Sequence, residues 1–430
     1  MHERPADSVR AGRILAALPA LALSLALGAC SVAPAQPSQV ATPTSAAQTP
    51  AAPTTTPVTD AAGPSAASTT GTQVQESDAP DPPAKTSADA SCPGEECIEV
   101  AVAGDILLHP ALWEQATRDG KGKLDFEPLL GGIAPFLAEA DLSLCNLETP
   151  LAPKGGPYQG YPMFTVPQEI VPALKAVGYD GCTTASNHSM DGGVQGVIRT
   201  LDALKDAGMV STGSYRSAGD AGKPLLTQVG GAKVAVIAGT YSLNGIAEDA
   251  PWRVDGIDKA SLVARAKAAR AAGADIVLAA IHDGTEYTDR PTAGQKELYR
   301  ALADSGEFDF VYSHHTHSVL PIEKRGDTWI VYGLGNSVAK HATKTVLNRE
   351  GITVNMQFVR TAAGWEPGKL RWAPHVMAEA PDRWCALPAP AGSQCTDKPG
   401  DAASLKRTTS TVHAFGADTD GAGPWEPAAP

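Results

Sequence analysis

Val311-Tyr-Ser-His-His-Thr-His-Ser-Val-Leu-Pro-Ile-Glu323, followed by Ile330-Val-Tyr-Gly-Leu-Gly-Asn-Ser-Val338, is the stretch that decides the reading of this chain. Three of the ten histidines, His314, His315 and His317, fall within four positions of it. They come directly after an apolar run containing Phe308, Phe310 and Val311, which reads as a buried strand. His315 and His317 are two residues apart, so an extended backbone turns both imidazoles to one face. Two neutral imidazoles aimed at one point suit a transition-metal ion. Taken alone, the segment also reads as a polar turn that merely contains histidines. The other strand ends decide between the two.

Asp105 closes the apolar run Cys97-Ile-Glu-Val-Ala-Val-Ala-Gly-Asp105, and Asn146 and Glu148 close Asp141-Leu-Ser-Leu-Cys-Asn-Leu-Glu148. Asn187 and His188 follow a strand expected over 178–184, and His282 ends one expected over 274–281. Further strands are expected over 233–238, 329–332, 351–359 and 368–372. Helical patterning begins at 112 and recurs over 128–140, 168–177, 194–207, 261–272 and 292–304, with Gly208 placed as a helix stop. Strands alternating with helices mean an α/β domain with largely parallel sheets. In such folds the loops at the carboxyl ends of the strands gather into one crevice. One Asp, one Glu, one Asn and three histidines at such ends match a mixed oxygen and nitrogen site for one or two divalent ions. Zinc, manganese and iron are all compatible. Two ions a few Å apart can hold a bridging hydroxide and accept phosphoryl oxygens. His188 follows Asn187 directly, so its ring either stabilises or protonates a leaving oxygen or serves as a hydrogen-bonded support.

The motifs Gly104-Asp105, Asn146-Leu-Glu-Thr-Pro150, Ser186-Asn-His-Ser-Met-Asp191, His282-Asp-Gly-Thr-Glu-Tyr287, His314-His-Thr-His-Ser-Val-Leu-Pro-Ile-Glu323 and Tyr332-Gly-Leu-Gly-Asn336 resemble the CapA family of poly-γ-glutamate capsule biosynthesis proteins, a branch of the calcineurin-like metallophosphatases. The resemblance runs from about residue 100 to 336 in the family's motif order. It implies a four-layer α/β fold, two β-sheets packed face to face and flanked by helices. It implies metal ligands at Asp105, Glu148, Asn187, His282, His315 and His317, and a catalytic role for His188. Asn146, Asp191, Glu286, Tyr287, His314 and Asn336 are expected to touch substrate or to support the ligands; Glu286 and Tyr287 fit a buried structural role equally well. The sequence departs from the phosphatase pattern in places. Leu107 stands where Asp-x-His needs histidine, and the bridging carboxylate falls to Glu148, since Asn146 cannot bridge as one. His109 is a conceivable substitute ligand without support from its spacing. Asp283 stands where the family has Trp, and Ser313 where it has Gly. The implied function is metal-dependent, phosphoesterase-type hydrolysis in capsule-polymer metabolism. The alternative is a non-catalytic accessory role in polymer binding, export or anchoring beside capsule-synthesis partner proteins.

Residues 1–30 carry Arg4, Arg10 and Arg13, then an apolar stretch too short for a span of ~20 residues, then Leu27-Gly-Ala-Cys30. This reads as a lipoprotein signal peptide with Cys30 lipidated, giving an extracytoplasmic protein attached to the cell membrane; an ordinary signal peptide is the competing reading. Residues 31–91 are Ala, Pro, Thr, Ser and Gln with few large apolar side chains. Such a linker cannot bury enough surface to offset its ordering entropy, and as a coil it reaches on the order of 50 Å. The globular domain is expected over 92–375, with a tail over 376–430. A net charge of −13 argues against nucleic acid or an anionic surface as partner. Six cysteines remain besides Cys30. Cys92 with Cys97 and Cys385 with Cys395 are plausible bridges outside the cytoplasm, and Cys145 and Cys182 are near enough in pattern to leave their pairing open. Their spacings do not match a zinc ribbon.

Overall fold

Strand β1 (Glu96–Ile106) buries Ile98, Val100 and Val102 on one face and Ala101 and Ala103 on the other. A strand apolar on both faces belongs inside a covered sheet. The computed structural model describes residues 92–221, 223–390 and 392–427. The expected signal peptide, Cys30 and linker lie outside the described residues. Fourteen further strands follow among those described: β2 (Leu142–Leu147), β3 (Gly181–Thr183), β4 (Val210–Thr212), β5 (Leu225–Val229), β6 (Ala232–Thr240), β7 (Ile276–His282), β8 (Phe310–His314), β9 (Ile322–Arg325), β10 (Thr328–Val331), β11 (Asn336–Val338), β12 (Glu350–Thr361), β13 (Gly364–Ala378), β14 (Arg383–Ala386) and β15 (Gly423–Pro424).

They form two sheets. One runs β14-β13-β12-β1-β2-β3-β4, with β11 added on β1 and β15 on β13; the other runs β5-β6-β7-β8-β10-β9. Period-two alternation then builds the layers. Ile98, Val100 and Val102 of the first sheet pack with Val234, Val236, Ile276, Leu278, Phe310 and Tyr312 of the second in one core between the sheets. On the outer face of the first sheet Ala101, Ala103 and Cys145 meet Leu112, Ala116, Leu174 and Leu204 from helices. On the outer face of the second, Val277, Ala279 and Ile281 meet Leu262 and Ala266 of helix Lys259–Ala271 and Tyr299 and Leu302 of helix Ala293–Asp304. This is the expected four-layer arrangement.

The helices start where side chains can satisfy their first amides. Thr292 and Gln295 form a reciprocal capping box, and Asp258 caps its helix through the Ser261 amide. The single helix expected over 128–140 is instead three short pieces, Glu127–Leu130, Gly131–Ile133 and Ala134–Leu137. Gly131-Gly132 and Pro135 interrupt it, because glycine is costly in a helix and proline lacks the amide. The described part of 376–430 is folded into the domain: β14 extends the first sheet, helix Lys398–Val412 follows, and Val412, Ala417 and Ala422 reach the core between the sheets. Three disulfides join Cys92 to Cys97, Cys385 to Cys395, and Cys145 to Cys182, the last across register partners on β2 and β3. Among the described residues no helix is long and apolar enough to cross a membrane.

Candidate metal centre

Register brings the polar strand ends into two facing rows. In the first sheet Asp105 lies opposite Asn146 on β2 and Asn336 on β11. In the second, His282 lies opposite Thr240 on β6 and His314 on β8. All the strands in these rows are parallel to their neighbours there, so their carboxyl ends share one side.

Beyond β8 the backbone departs from the extended course expected for the histidine pair. The strand ends at His314, and His315 and His317 adopt left-handed conformations, with φ of 82° and 49°. Each such non-glycine residue costs about 1–2 kcal/mol. The turn is held by Asp105 Oδ2, which accepts the His315 amide at 3.0 Å, and by Thr316 O, which accepts the Tyr287 amide at 2.8 Å. The two imidazoles still converge, their ring centroids 5.9 Å apart. A tight turn aims them, where alternation along a strand was expected to.

Glu148 occupies the middle. It is fully buried, and its Oε1 lies 3.8 Å from His282 Nε2 and 3.8 Å from His317 Nε2. Neither of its carboxylate oxygens has a hydrogen-bond partner. Asp105, also fully buried, accepts from Asn146 Nδ2 at 2.8 Å and lies 3.2 Å from His314 Nδ1 and 3.5 Å from His317 Nδ1. His282 Nε2 is 2.8 Å from Asn187 Oδ1. His317 Nδ1–H donates to Asn336 Oδ1 at 2.9 Å. Three triads of ligand atoms, each within 4.8 Å of one another, result among the described residues: Asp105, Glu148 and His317; Glu148, His282 and His315; and Glu286, His315 and His317.

The electrostatics follow from this crowding. Burial alone would raise the Asp105 carboxyl, but the His314 and His317 imidazoles outweigh it and hold it well below the usual range. Burial pushes Glu148 well above that range, with His317 opposing. Against burial, Glu148 and Asp105 lift His317 to about 9. Burial, with His317 beside it, lowers His315 to about 3, and burial with His315 beside it holds His282 well below an ordinary histidine.

His188 sits at the rim. Its Nδ1–H donates to Asp191 Oδ2 at 2.7 Å, and its ring meets Phe164 edge-on at 4.9 Å. Glu286 is exposed yet within reach of His315 and His317, closer to the centre than a purely supporting place implies. His109 belongs to none of the triads: its Nδ1 accepts the Lys340 amide and its ring packs on His341 at 4.6 Å. Leu107 is buried in the outer apolar core, so position 107 supplies no ligand. Two residues escape the sequence reading. Asn244 bonds Asn187 at 3.3 Å and lies 3.5 Å from His188 Nδ1, and His341 stacks 4.6 Å from His317. Asn244 follows β6, whose polar end was not read by the strand-end rule that found the others.

The donor set fits a divalent ion of borderline or hard character: imidazole nitrogens, carboxylates and an amide oxygen. The orphaned oxygens of Glu148, and the unpartnered Nδ1 of buried His315, are what a site built for a cation leaves when only protein is considered. The candidate ligands Asp105, Glu148, Asn187, His282, His315 and His317 are brought together in one place.

Residues 99–341 match the sequence profile of the bacterial capsule synthesis protein family PGA_cap. Among curated proteins, the PGA biosynthesis protein CapA of Bacillus subtilis is 28% identical over 253 residues, 57% of this chain and 64% of that protein. The capsule biosynthesis protein CapA of Bacillus anthracis is 27% identical over 56% of this chain and 60% of its own length. The chain thus spans less than two thirds of these two relatives. A probable polyglutamine synthesis accessory protein of Mycobacterium tuberculosis is 27% identical over 56% of this chain and 74% of its own. Among solved structures, a calcineurin-like phosphoesterase, YfkN of B. subtilis, aligns over 73% of this chain and 96% of that chain at 12% identity, with a TM-score of 0.43. The profile covers more than half of the 430 residues. The chain belongs to the PGA_cap family of bacterial capsule synthesis proteins.

Proposed function

We propose that the chain is a metal-dependent hydrolase of phosphoester type acting in capsule-polymer (poly-γ-glutamate) metabolism, held outside the cytoplasm by a lipid on Cys30. Its partners are a cell-envelope polymer or phosphoester and other capsule-synthesis proteins; nucleic acid is not among them. One observation carries the catalytic part. Glu148 is a fully buried carboxylate without a hydrogen bond, shared by two ligand triads. An isolated buried carboxylate is expensive unless a cation sits beside it.

Asp105, Glu148 and His317 would hold one ion, and Glu148, Asn187, His282 and His315 a second. Such ions supply Lewis acidity toward a phosphoryl oxygen and activate water at neutral pH. The rest belongs to the chain's own groups. Asp191 accepts the Nδ1 proton of His188, which fixes the tautomer and leaves Nε2 to hold or hand over a proton at the leaving oxygen. Asn187 and Asn244 brace that rim. The phenyl ring of Phe164 packs against the His188 imidazole and limits its rotation.

A second reading, a non-catalytic accessory protein for polymer binding, export or anchoring, is favoured by Leu107, an apolar core residue where the phosphatase pattern has a ligand. Metal analysis of the purified protein, wild type and Glu148→Gln, followed by aryl-phosphate hydrolysis with manganese, zinc or iron, separates the two. Bound metal with turnover, both lost in Glu148→Gln, supports the hydrolase. Bound metal without turnover favours the accessory role, and absence of metal binding defeats the metal centre itself.

A further inference from the structure

The ligand count around His317 is short by one, and the missing group has to come from somewhere other than position 107. Leu107 is 2% exposed and packed among apolar side chains, so it cannot be replaced by a rotated neighbour on β1. We propose that Glu286 is itself a metal ligand, delivered from the solvent side to the His315–His317 pair in place of the histidine that position 107 lacks. The inference rests on the metal-centre reading above.

Three observations converge on it. First, a carboxylate oxygen of Glu286 and ring nitrogens of His315 and His317 lie within 4.8 Å of one another, and both histidines are buried. Second, Nδ1 of His315 is buried without a hydrogen-bond partner, so the pocket Glu286 overhangs contains an unused donor atom. Third, a chain of hydrogen bonds leads from His317 to Tyr287, the immediate neighbour of Glu286.

The direction of each bond in that chain can be worked out. Asn336 Nδ2 donates to the Asn348 carbonyl at 2.9 Å, which fixes the amide so that Oδ1 faces His317. His317 therefore presents Nδ1–H to Asn336, and its Nε2 faces Glu148. The same Asn336 Nδ2 lies 3.2 Å from His341 Nε2, so that nitrogen accepts. With Nε2 accepting, the ring's proton lies on Nδ1. Nδ1–H then donates to the Tyr287 hydroxyl, 3.2 Å away. The Tyr287 hydroxyl is left to donate onward, with the side chains of Thr343 and Glu286 beside it. His317, Asn336, His341 and Tyr287 thus form one hydrogen-bonded chain that ends beside Glu286.

The backbone agrees. Tyr287 has a φ of 60°, a left-handed conformation uncommon for an aromatic residue, and its amide is tied to Thr316 O in the histidine turn. A merely solvated glutamate after β7 would need neither the strained neighbour nor the tie. The placement also makes Glu286 the exposed member of the three triads, so it closes the centre on the side from which ions and substrate arrive.

The test is metal affinity, read directly. Zinc or manganese is titrated against a competing chelator with purified wild type, Glu286→Gln, Glu286→Ala and Tyr287→Phe. Removing the carboxylate is expected to weaken binding by at least ~10–100-fold, the range seen when even indirect supports of a ligand are lost. Tyr287→Phe should weaken it less, because the carboxylate remains but is no longer aimed. Glu286 is exposed, so the metal-free variants should melt with the wild type. Wild-type affinity and stoichiometry in both Glu286 variants would overturn the assignment while leaving the metal centre standing. Failure of the wild type to bind either metal would overturn the centre and this inference together, and the two failures are told apart by the wild-type titration alone.

Discussion

His188 Nδ1 lies 2.7 Å from Asp191 Oδ2, and that same oxygen accepts the Phe164 amide at 2.7 Å. One carboxylate oxygen therefore orients both the candidate proton carrier and the loop that packs on it. His188→Ala should keep its metal and lose turnover by roughly 10²–10⁴-fold. Asp191→Asn should lose less, because the ring remains but its tautomer is no longer enforced. Metal analysis and aryl-phosphate hydrolysis on the same preparations check this. Metal loss in His188→Ala would show that the ring is a ligand instead.

His375 offers a pH signature away from the ligands. It is fully buried, donates from Nε2 to the Asn336 carbonyl at 2.9 Å, and stacks on Trp384 at 4.5 Å. Burial drives its pKa down to about 4. Because the folded value is below the ordinary value near 6.5, the unfolded chain takes up the proton first as pH falls. Stability from this group is complete above about 6.5 and is lost between there and about 4, amounting to roughly 3 kcal/mol. In denaturant melts across that window, metal-free wild type should lose more stability than His375→Gln by about this amount. Parallel curves would rule out the assignment.

The six described cysteines are paired. Thiol labelling under denaturing, non-reducing conditions should find none of them free. The Cys145–Cys182 bridge closes a separation of 37 residues, so its removal in a Cys145→Ala, Cys182→Ala double variant should cost about 4 kcal/mol on the loop-entropy account. An unchanged melting curve would contradict that.

The proposed lipid on Cys30 is open to a direct experiment. Cys30→Ala should release the protein from the membrane fraction or leave its leader uncleaved. A mature-sized, membrane-bound product would remove the anchor from the proposal.

Much of the centre could be read from residue order, because parallel strands deliver their ends to one side and each end carried a polar signature. The β1 run ending at Asp105, the strand ending at His282 and the helix over 194–207, observed as Gly193–Asp206, lie within a residue or two of the pattern. The left-handed turn at His315 and His317 was hidden because both residue types also suit a strand, and only the long-range bond to Asp105 selects the turn. The reach of Glu286 was equally invisible, since its loop is tied to the histidine turn by the long-range bond from the Tyr287 amide to Thr316 O. β13 was read as a short strand because Pro367 and Pro374 interrupt its pattern; its pairing along β12 overrides them.

Strand β1 has one further consequence, which concerns direction. Glu96 and Asp105 stand nine positions apart on it, about 30 Å at the usual rise of a strand. Cys92, just ahead of β1, thus lies at the pole of the domain opposite the histidines. Were the lipid proposed on Cys30 to hold the protein, the attachment would therefore enter the domain on the side away from the metal centre.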